Sequence, residues 1–296
     1  MSQPILSGTG VALVTPFRSK RIDFPALEAM INHVIEGGVD FIVSLGTTGE
    51  AITQSVEECR QVLDFTIEKT DGRVPIVAGL FGGNYTDKIV AGLQNYNFDG
   101  IAAIMSSSPA YSKPSQEGIF HHYMAIAEAS PRPIIIYNVP GRTSSNIEAE
   151  TTVRLAHASQ KFIAVKEASG DLAQAMSIIK EKPGRFQVWS GEDPLTFPML
   201  ACGATGVISV IANAFPKPFS GMVRHAMQGE LIEARELNEL LHDIHPHLYA
   251  HGNPAGIKAV LDILGLCSKE VRIPLTSLPD VDYQRLRAEL KKAGLV

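Results

Sequence analysis

Cysteine is scarce in this 296-residue sequence, in which Cys59, Cys202 and Cys267 lie far apart and form no CxxC pair. Three scattered cysteines predict neither a disulfide framework nor a cysteine zinc site, and they are typical of a reducing compartment. No apolar run approaches the roughly 18 residues that a membrane span needs. The N-terminus, MSQPILSGTG, lacks the basic start and long apolar core of a signal peptide. We therefore expect a soluble, cytoplasmic protein.

An excess of positive charge is also missing. The 26 lysines and arginines are outnumbered by 31 acidic residues, which gives a net charge of −5 and a pI of about 6.0. Such a chain has no electrostatic reason to bind nucleic acid. No GxGxxG follows a strand-like run, and the nine histidines contain no HExxH and no HxH after the first strand. We expect no nucleotide cofactor and no metal.

What the sequence does contain is a regular alternation of apolar runs and amphipathic helical stretches. The runs are short, rich in Val and Ile and apolar on both faces, as parallel strands covered by helices are. They are GVALVTPF (10–17), FIVSLG (41–46), VPIVAGL (74–80), GIAAIM (100–105), RPIIIYNV (132–139), FIAVKEA (162–168), FQVWSG (186–191) and GVISV (206–210). Eight such units favour a closed (β/α)₈ barrel, although an open sheet can also have eight strands.

The intervening stretches carry helix signals. Ser55 and Glu58 form a plausible capping box for one helix, and helical patterns also fill 86–96, 115–129, 148–159, 171–180 and 193–202. From about residue 214 onward the pattern is helical only. We expect a barrel over residues 1–213 and a helical C-terminal region over residues 214–296 that packs on it.

Active sites of such barrels lie at the C-terminal ends of the strands. Lys166 ends the strand FIAVK and shares one face with Phe162 and Ala164, so its amine projects into the barrel mouth. Burial disfavours the charged form of a lysine, and a neutral amine is a nucleophile toward a carbonyl group. A lysine that extends to solvent from the strand end is equally compatible with this position. Tyr137 ends the preceding strand, and its phenol is either a proton shuttle or a core hydroxyl.

Two further segments offer ligand-binding groups. The turn Gly46-Thr47-Thr48-Gly49-Glu50 supplies hydroxyls and free amides that suit a small carboxylate, although a plain turn is the simpler reading. Arg142, in YNVPGR, can bind a carboxylate with two parallel hydrogen bonds or lie on the surface as an ordinary loop arginine.

Together these segments resemble the dihydrodipicolinate synthase/N-acetylneuraminate lyase family. The resemblance runs over nearly the whole chain, through GVALVTPF, GTTGE, SPAYSKPSQEG, YNVPGRTS, VKEASGD, SGED, GVISV, NPAGIKAVL and LKKAGLV. GTTGE, YNVPGRT and KEASGD in this order are specific to the family.

The resemblance implies a Schiff-base lyase that works without a metal or organic cofactor. Lys166 would form the imine with pyruvate, and Tyr137, Thr47 and Tyr111 would form a proton relay. Tyr111 would reach the site of a neighbouring subunit across a dimer interface. The implied assembly is a homotetramer built as a dimer of dimers, with the dimer as the alternative.

The resemblance also implies substrate contacts. Thr48 would bind the pyruvate carboxylate through its hydroxyl and amide, and Ile208 would contact bound pyruvate through its backbone. Gly191 would also bind substrate, and Arg142 would hold the carboxylate of L-aspartate-4-semialdehyde. The implied reaction is the condensation of these two substrates to 4-hydroxy-tetrahydrodipicolinate, in the diaminopimelate and lysine pathway. Arg142 and Tyr111 favour this reaction over sialic acid cleavage.

One departure from the family pattern concerns inhibition by lysine, which some members bind at the dimer interface. Asn84 matches the pattern, but Ala110 stands where a tyrosine is expected, Val56 and Cys59 replace histidines, and Lys88 replaces an acid. A like charge facing the ammonium of lysine lowers affinity. We expect weak or absent inhibition.

Two alternatives remain open. A related aldolase, acting on N-acetylneuraminate or a 2-keto-3-deoxy sugar acid, would share the imine chemistry of Lys166. A non-catalytic barrel with a binding role would have no use for a relay of Tyr137, Thr47 and Tyr111. Trapping of a pyruvate imine separates an enzyme from such a binding protein.

Overall fold

The computed structural model describes residues 6–296, in which eight parallel strands close into a barrel. The barrel strands are β1 (Gly8–Ala12), β4 (Phe41–Ser44), β5 (Ile76–Ala78), β6 (Ala103–Ser107), β7 (Ile134–Asn138), β8 (Phe162–Glu167), β9 (Gln187–Ser190) and β10 (Gly206–Ser209), whereas β2 (Phe17–Arg18) and β3 (Arg21–Ile22) form a hairpin. Each barrel strand pairs with the next barrel strand along the chain, so that β1 pairs with β4, and β10 closes the barrel by pairing with β1. The predicted (β/α)₈ barrel is confirmed, and residues 1–5 lie outside the described residues.

The first apolar run differs from its prediction. Residues 10–17 were expected to form one strand, but β1 ends at Ala12 and Phe17 begins the hairpin. Pro16 lacks the amide hydrogen that a continued strand would need. At the start of β1 the backbone lies very close to β10, because a Cβ on Gly206 would sit 2.4 Å from the carbonyl oxygen of Gly8.

Helices follow the strands around the outside. They are α1 (Phe24–Glu36), α2 (Val56–Thr70), α3 (Thr86–Asn95), α4 (Gln116–Ala129), α5 (Pro140–Thr143), α6 (Ala149–Ala158), α7 (Leu172–Glu181), α8 (Thr196–Ala201), α9 (Pro216–Gln228), α10 (Leu231–His242), α11 (His245–Tyr249), α12 (Ala255–Ile263) and α13 (Asp280–Lys292). The predicted capping box is confirmed: the Ser55 hydroxyl accepts from the Glu58 amide at 3.1 Å, and the Glu58 carboxylate accepts from the Ser55 amide at 2.9 Å.

The hydrophobic core has two layers. The larger one lies between the strands and the helices. The smaller one fills the barrel itself, where Phe41 and Trp189 pack with ring centroids 5.3 Å apart. Because alternate strand residues face these two layers, both faces of each strand are apolar, as its sequence predicts.

Among residues 214–296 the described structure is helical, as expected. Helix α9 lies against β1 and α1 and so belongs to the ring of helices around the barrel, while α10 packs on α9. The division after residue 213 stays a prediction. Within residues 6–296, no helix combines the length and the apolar character that a membrane span requires.

Candidate active site

Lys166 lies near the end of β8, between Tyr137 in β7 and Trp189 in β9. Its side chain is 5% exposed. The Nζ atom lies 4.4 Å from the ring centroid of Tyr137, so the amine faces the aromatic ring. The described residues place no carboxylate within ion-pair distance of this amine. Lys166 therefore points into the barrel mouth and does not extend to solvent.

A cavity of about 350 Å³ opens above these two side chains. It brings together six of the residues singled out from the sequence, which are Thr47, Thr48, Tyr137, Arg142, Lys166 and Gly191. A larger groove of about 730 Å³ lies on the outside of the barrel, lined by helix residues such as Phe120 and Val153. The outer groove contains none of those six, so the candidate site is the cavity at the strand ends.

Thr47 and Thr48 lie in a tight turn after β4. The amide of Gly49 donates to Gly46 O at 3.1 Å, and the amide of Glu50 donates to Thr47 O at 3.0 Å. The turn packs against Gly79, where a Cβ would sit 2.8 Å from the Gly46 amide nitrogen. Glycine at 79 thus lets the turn approach β5 closely enough to place both threonines at the cavity.

Asn253 lines the same cavity but was not singled out from the sequence. Its Nδ2 donates to Thr48 Oγ1 at 2.9 Å, and the residue is 6% exposed. A hydroxyl that accepts this bond keeps its own proton free to donate elsewhere. Thr48 can therefore donate to a carboxylate in the cavity. Asn253 begins NPAGIKAVL, one of the segments that carry the family resemblance. Nothing in this segment itself predicts a contact with the Thr47–Thr48 turn.

A hydrogen-bond network behind the strands fixes the ends of β7 and β8. Asn138 follows Tyr137, and Glu167 follows Lys166. Asn138 Nδ2 donates to the two carboxylate oxygens of Glu167 at 3.1 and 3.0 Å, and Ile147 N donates to Asn138 Oδ1 at 2.9 Å. Asn138 and Glu167 are buried, so these bonds hold the two strand ends in one register.

Arg142 lies on α5, directly after β7. Its backbone amide donates to Val139 O at 2.9 Å, and its exposed side chain lines the cavity. The guanidinium is therefore positioned at the rim, where an incoming anion reaches it first.

Ile208 and Tyr111 lie outside the cavity lining. Ile208 is fully buried in the barrel interior on β10, and its neighbour Val210 lines the cavity instead. Tyr111 is 92% exposed, with a left-handed φ of 68° and its amide bonded to Thr143 O at 2.9 Å. Within one chain, Tyr111 is thus exposed and outside the lining of the cavity.

The cavity wall also holds a carboxyl group with a perturbed pKa. Burial raises the pKa of Glu192, and Asp193 adds to this effect, whereas Lys166 and Arg142 oppose it. Burial also raises the pKa of the Tyr249 phenol, which lines the same cavity. Perturbed groups around one cavity are typical of functional sites.

Comparison with known sequences places residues 5–293 in a family described as the Dihydrodipicolinate synthetase family. A curated relative from Parabacteroides distasonis is 46% identical over 291 residues, covers 98% of both chains and is named 4-hydroxy-tetrahydrodipicolinate synthase.

Solved structures agree with this sequence match. A dihydrodipicolinate synthase from Acinetobacter baumannii, described as chloride inhibited and complexed with pyruvate, superposes with a TM-score of 0.95 at 37% identity and covers 99% of this chain and 100% of its own. The enzyme from Cyanidioschyzon merolae, described with lysine bound, has a TM-score of 0.93 at 34% identity and covers 98% of this chain and 99% of its own.

Proposed function

The chain belongs to the Dihydrodipicolinate synthetase family, and we propose that it condenses pyruvate with L-aspartate-4-semialdehyde to 4-hydroxy-tetrahydrodipicolinate, with Lys166 as the Schiff-base nucleophile. The burial of Lys166 at the floor of the cavity is the observation that carries this proposal. The relatives' activity supports the choice of reaction.

In this reaction Lys166 Nζ attacks the keto carbon of pyruvate, and water leaves to give an imine. Loss of a methyl proton converts the imine to an enamine, whose terminal carbon attacks the aldehyde carbon of the second substrate. The amine of that substrate then replaces Lys166 at the former keto carbon, which closes the ring and frees the lysine. One water leaves overall, so the atoms balance.

Tyr137 and Thr47 supply the hydroxyls that move these protons, since both line the cavity that holds the Lys166 amine. Thr48 donates hydrogen bonds from its hydroxyl and its amide to the pyruvate carboxylate. Gly191 lies at the cavity wall and leaves room for the Lys166 side chain beside the substrate, because a Cβ there would sit 3.1 Å from Lys166 Cε. Ile208, near the end of β10, contacts the bound pyruvate through its backbone.

Arg142 binds the carboxylate of the semialdehyde from the rim. A guanidinium recognises a carboxylate with two parallel hydrogen bonds, which orients the bound aldehyde as well as attracting it. Its exposure leaves these donors available to the second substrate after pyruvate has bound below.

Tyr111 completes the relay from a neighbouring subunit in a dimer, and two dimers form a tetramer. This part of the proposal is supported by the exposure of Tyr111, since a tyrosine that lies outside the cavity of its own chain is available to another chain. Ile52 and Val56 are 93% and 87% exposed, and their burial against a partner chain would remove apolar surface from water.

The proposal is tested by a coupled assay of pyruvate with aspartate semialdehyde, with cleavage of N-acetylneuraminate as the comparison reaction. Borohydride added with pyruvate alone is expected to add mass at Lys166. Lys166→Ala is expected to lose the adduct and the turnover, whereas Lys180→Ala, at a side chain that is 81% exposed, keeps both. Cleavage of sialic acid without condensation would identify a related aldolase, and an unmodified Lys166 would reject the mechanism.

A further inference from the structure

The turn that carries Thr47 and Thr48 ends in a buried ion pair. Glu50 is the last residue of GTTGE, and its Oε1 accepts from Lys258 Nζ at 2.6 Å. Lys258 lies on α12, 208 residues further along the chain, and the two side chains are 1% and 0% exposed. The other carboxylate oxygen accepts from the Arg272 amide at 3.0 Å. Both oxygens of Glu50 are thus bound by the C-terminal region.

Lys258 is held as firmly as its partner. Its Nζ also donates to Glu270 O at 2.9 Å and lies 4.2 Å from the ring centroid of Phe17. Burial lowers the pKa of Lys258, and Glu50 opposes that change. A charge pair removed from water is tolerated when its geometry is good and its remaining hydrogen bonds are satisfied. The pair therefore fixes the position of the Glu50 carboxylate relative to α12.

The link extends directly into the threonine turn. Glu50 has a left-handed φ of 53°, which a residue with a side chain rarely adopts unless its surroundings hold it there. Its amide donates to Thr47 O at 3.0 Å. The preceding carbonyl, Gly49 O, accepts from Thr15 Oγ1 at 2.7 Å. A change in the carboxylate position of Glu50 therefore moves the backbone of Thr47 and Thr48.

We propose that Glu50 and Lys258 are positioning residues, which place the Thr47–Thr48 turn so that it binds the carboxylate of pyruvate. This inference rests on the proposed function, because it takes pyruvate as the ligand of the turn. The pair touches no substrate, since neither residue lines the cavity. Its effect reaches the reaction through the two threonines and leaves Arg142, on the other side of the cavity, unchanged.

The test is a comparison of Michaelis constants in the full-length protein. In Glu50→Gln/Lys258→Met, two neutral side chains of similar volume replace the pair, so no unpaired charge is buried. We expect the KM for pyruvate to rise about tenfold or more, because an imprecisely placed turn loses hydrogen bonds to a charged group. The KM for aspartate semialdehyde is expected to stay within about twofold, since Arg142 still binds that substrate.

A matched control is Glu270→Ala. The Glu270 carboxylate ties the same segment to the hairpin through the amides of Ser19 and Lys20, at 2.8 and 2.5 Å, without touching the threonine turn. Both KM values are expected to be unchanged in this variant. The pyruvate concentration that half-saturates borohydride trapping gives an independent measure, and it is expected to shift only in the variants of the pair.

Glu50→Gln alone serves as the second variant if the double variant does not fold. Glutamine has nearly the same volume as glutamate, and Lys258 can lose its proton so that no unpaired charge is buried. A merely structural role would lower the active fraction, and so the apparent kcat, at unchanged KM for both substrates. That result, or equal rises in both KM values, would overturn the inference. Absence of a pyruvate adduct in the unmodified protein would instead reject the proposed function.

Discussion

Lys166 and Tyr137 are register partners in adjacent parallel strands, and the lysine Nζ lies 4.4 Å from the tyrosine ring centroid. The ring therefore packs against the amine while the phenol belongs to the cavity lining. In the proposed mechanism one side chain thus serves two purposes, because its ring packs against the lysine and its hydroxyl transfers protons.

Replacing Tyr137 with phenylalanine separates these purposes. Tyr137→Phe keeps the ring, so the pyruvate adduct at Lys166 is expected to form, but turnover is expected to fall by about 10²–10⁴-fold, as the loss of a general acid–base does. The measurement compares the condensation rate of the variant with the amount of pyruvate adduct that borohydride traps on it. Tyr123→Phe is the control, because that buried hydroxyl donates to Ser106 O at 2.8 Å away from the cavity. Full turnover in Tyr137→Phe would exclude the hydroxyl from the relay.

Arg142 is expected to act on one substrate only. Arg142→Ala should lower kcat/KM for aspartate semialdehyde by about 10- to 100-fold, since hydrogen bonds to a charged group contribute roughly 1.5–3 kcal/mol. Half-saturation of pyruvate trapping should stay the same. Arg154→Ala, at an exposed arginine paired with Glu117, controls for the loss of a surface charge. An equal loss toward pyruvate would contradict the assigned role.

Inhibition by L-lysine is expected to be weak or absent, in contrast to what the lysine-bound relative would lead one to assume. Lys88 is exposed on α3, and the family resemblance implies an acid at this position that would face the effector's ammonium. The measurement is the condensation rate over a lysine titration, with Lys88→Glu as the variant expected to be more sensitive. Half-inhibition at micromolar lysine would reject this expectation.

His122 is expected to make stability depend on pH. Burial lowers its pKa to about 4, while Nδ1 lies 2.9 Å from Thr86 Oγ1 and Nε2 has no hydrogen-bond partner among the described residues. The unfolded chain binds the proton more readily, so this stabilisation is complete above the ordinary histidine pKa and is lost as the pH falls from about 6.5 toward 4.

The size of the His122 effect follows from the same shift. Between pH 7 and 4.5 the histidine should reduce the free energy of unfolding by about 2 kcal/mol. His122→Phe removes this contribution, so the difference in stability between variant and unmodified protein should change by that amount over the same range. Urea unfolding at the two pH values measures it, and a constant difference would show that His122 does not titrate as described.

The strands and the strand face that carries Lys166 were predictable because they depend on local patterns, whereas the burial of its amine was left open against exposure to solvent. Alternating faces placed Lys166 at the barrel mouth, and adjacent strand ends placed Tyr137 beside it. Asn253 and Lys258 were not predictable, because their partners Thr48 and Glu50 lie more than two hundred residues away in the chain. Sequence spacing carries no information about a contact that is set by how the C-terminal helices pack on the barrel.

Glu50, the partner of Lys258, was not predictable for the same reason. In the sequence it reads as the end of a Gly-Thr-rich turn, and nothing around it indicates that its carboxylate is buried against a lysine. Tyr111 is limited in a different way. Its proposed role depends on a second subunit, and no pattern within one chain shows where that subunit lies. The parts that sequence reasoning missed are those that depend on distant packing.

The Glu50–Lys258 link also bears on biosynthesis, because a protein emerges from the ribosome with its N-terminus first. When residue 209 has been made, all eight strands and Lys166 exist, but α12 does not. A nascent chain at that stage lacks the anchors of the Thr47–Thr48 turn. In the proposed mechanism, efficient capture of an oxo acid is therefore acquired late in translation, when the last helices dock.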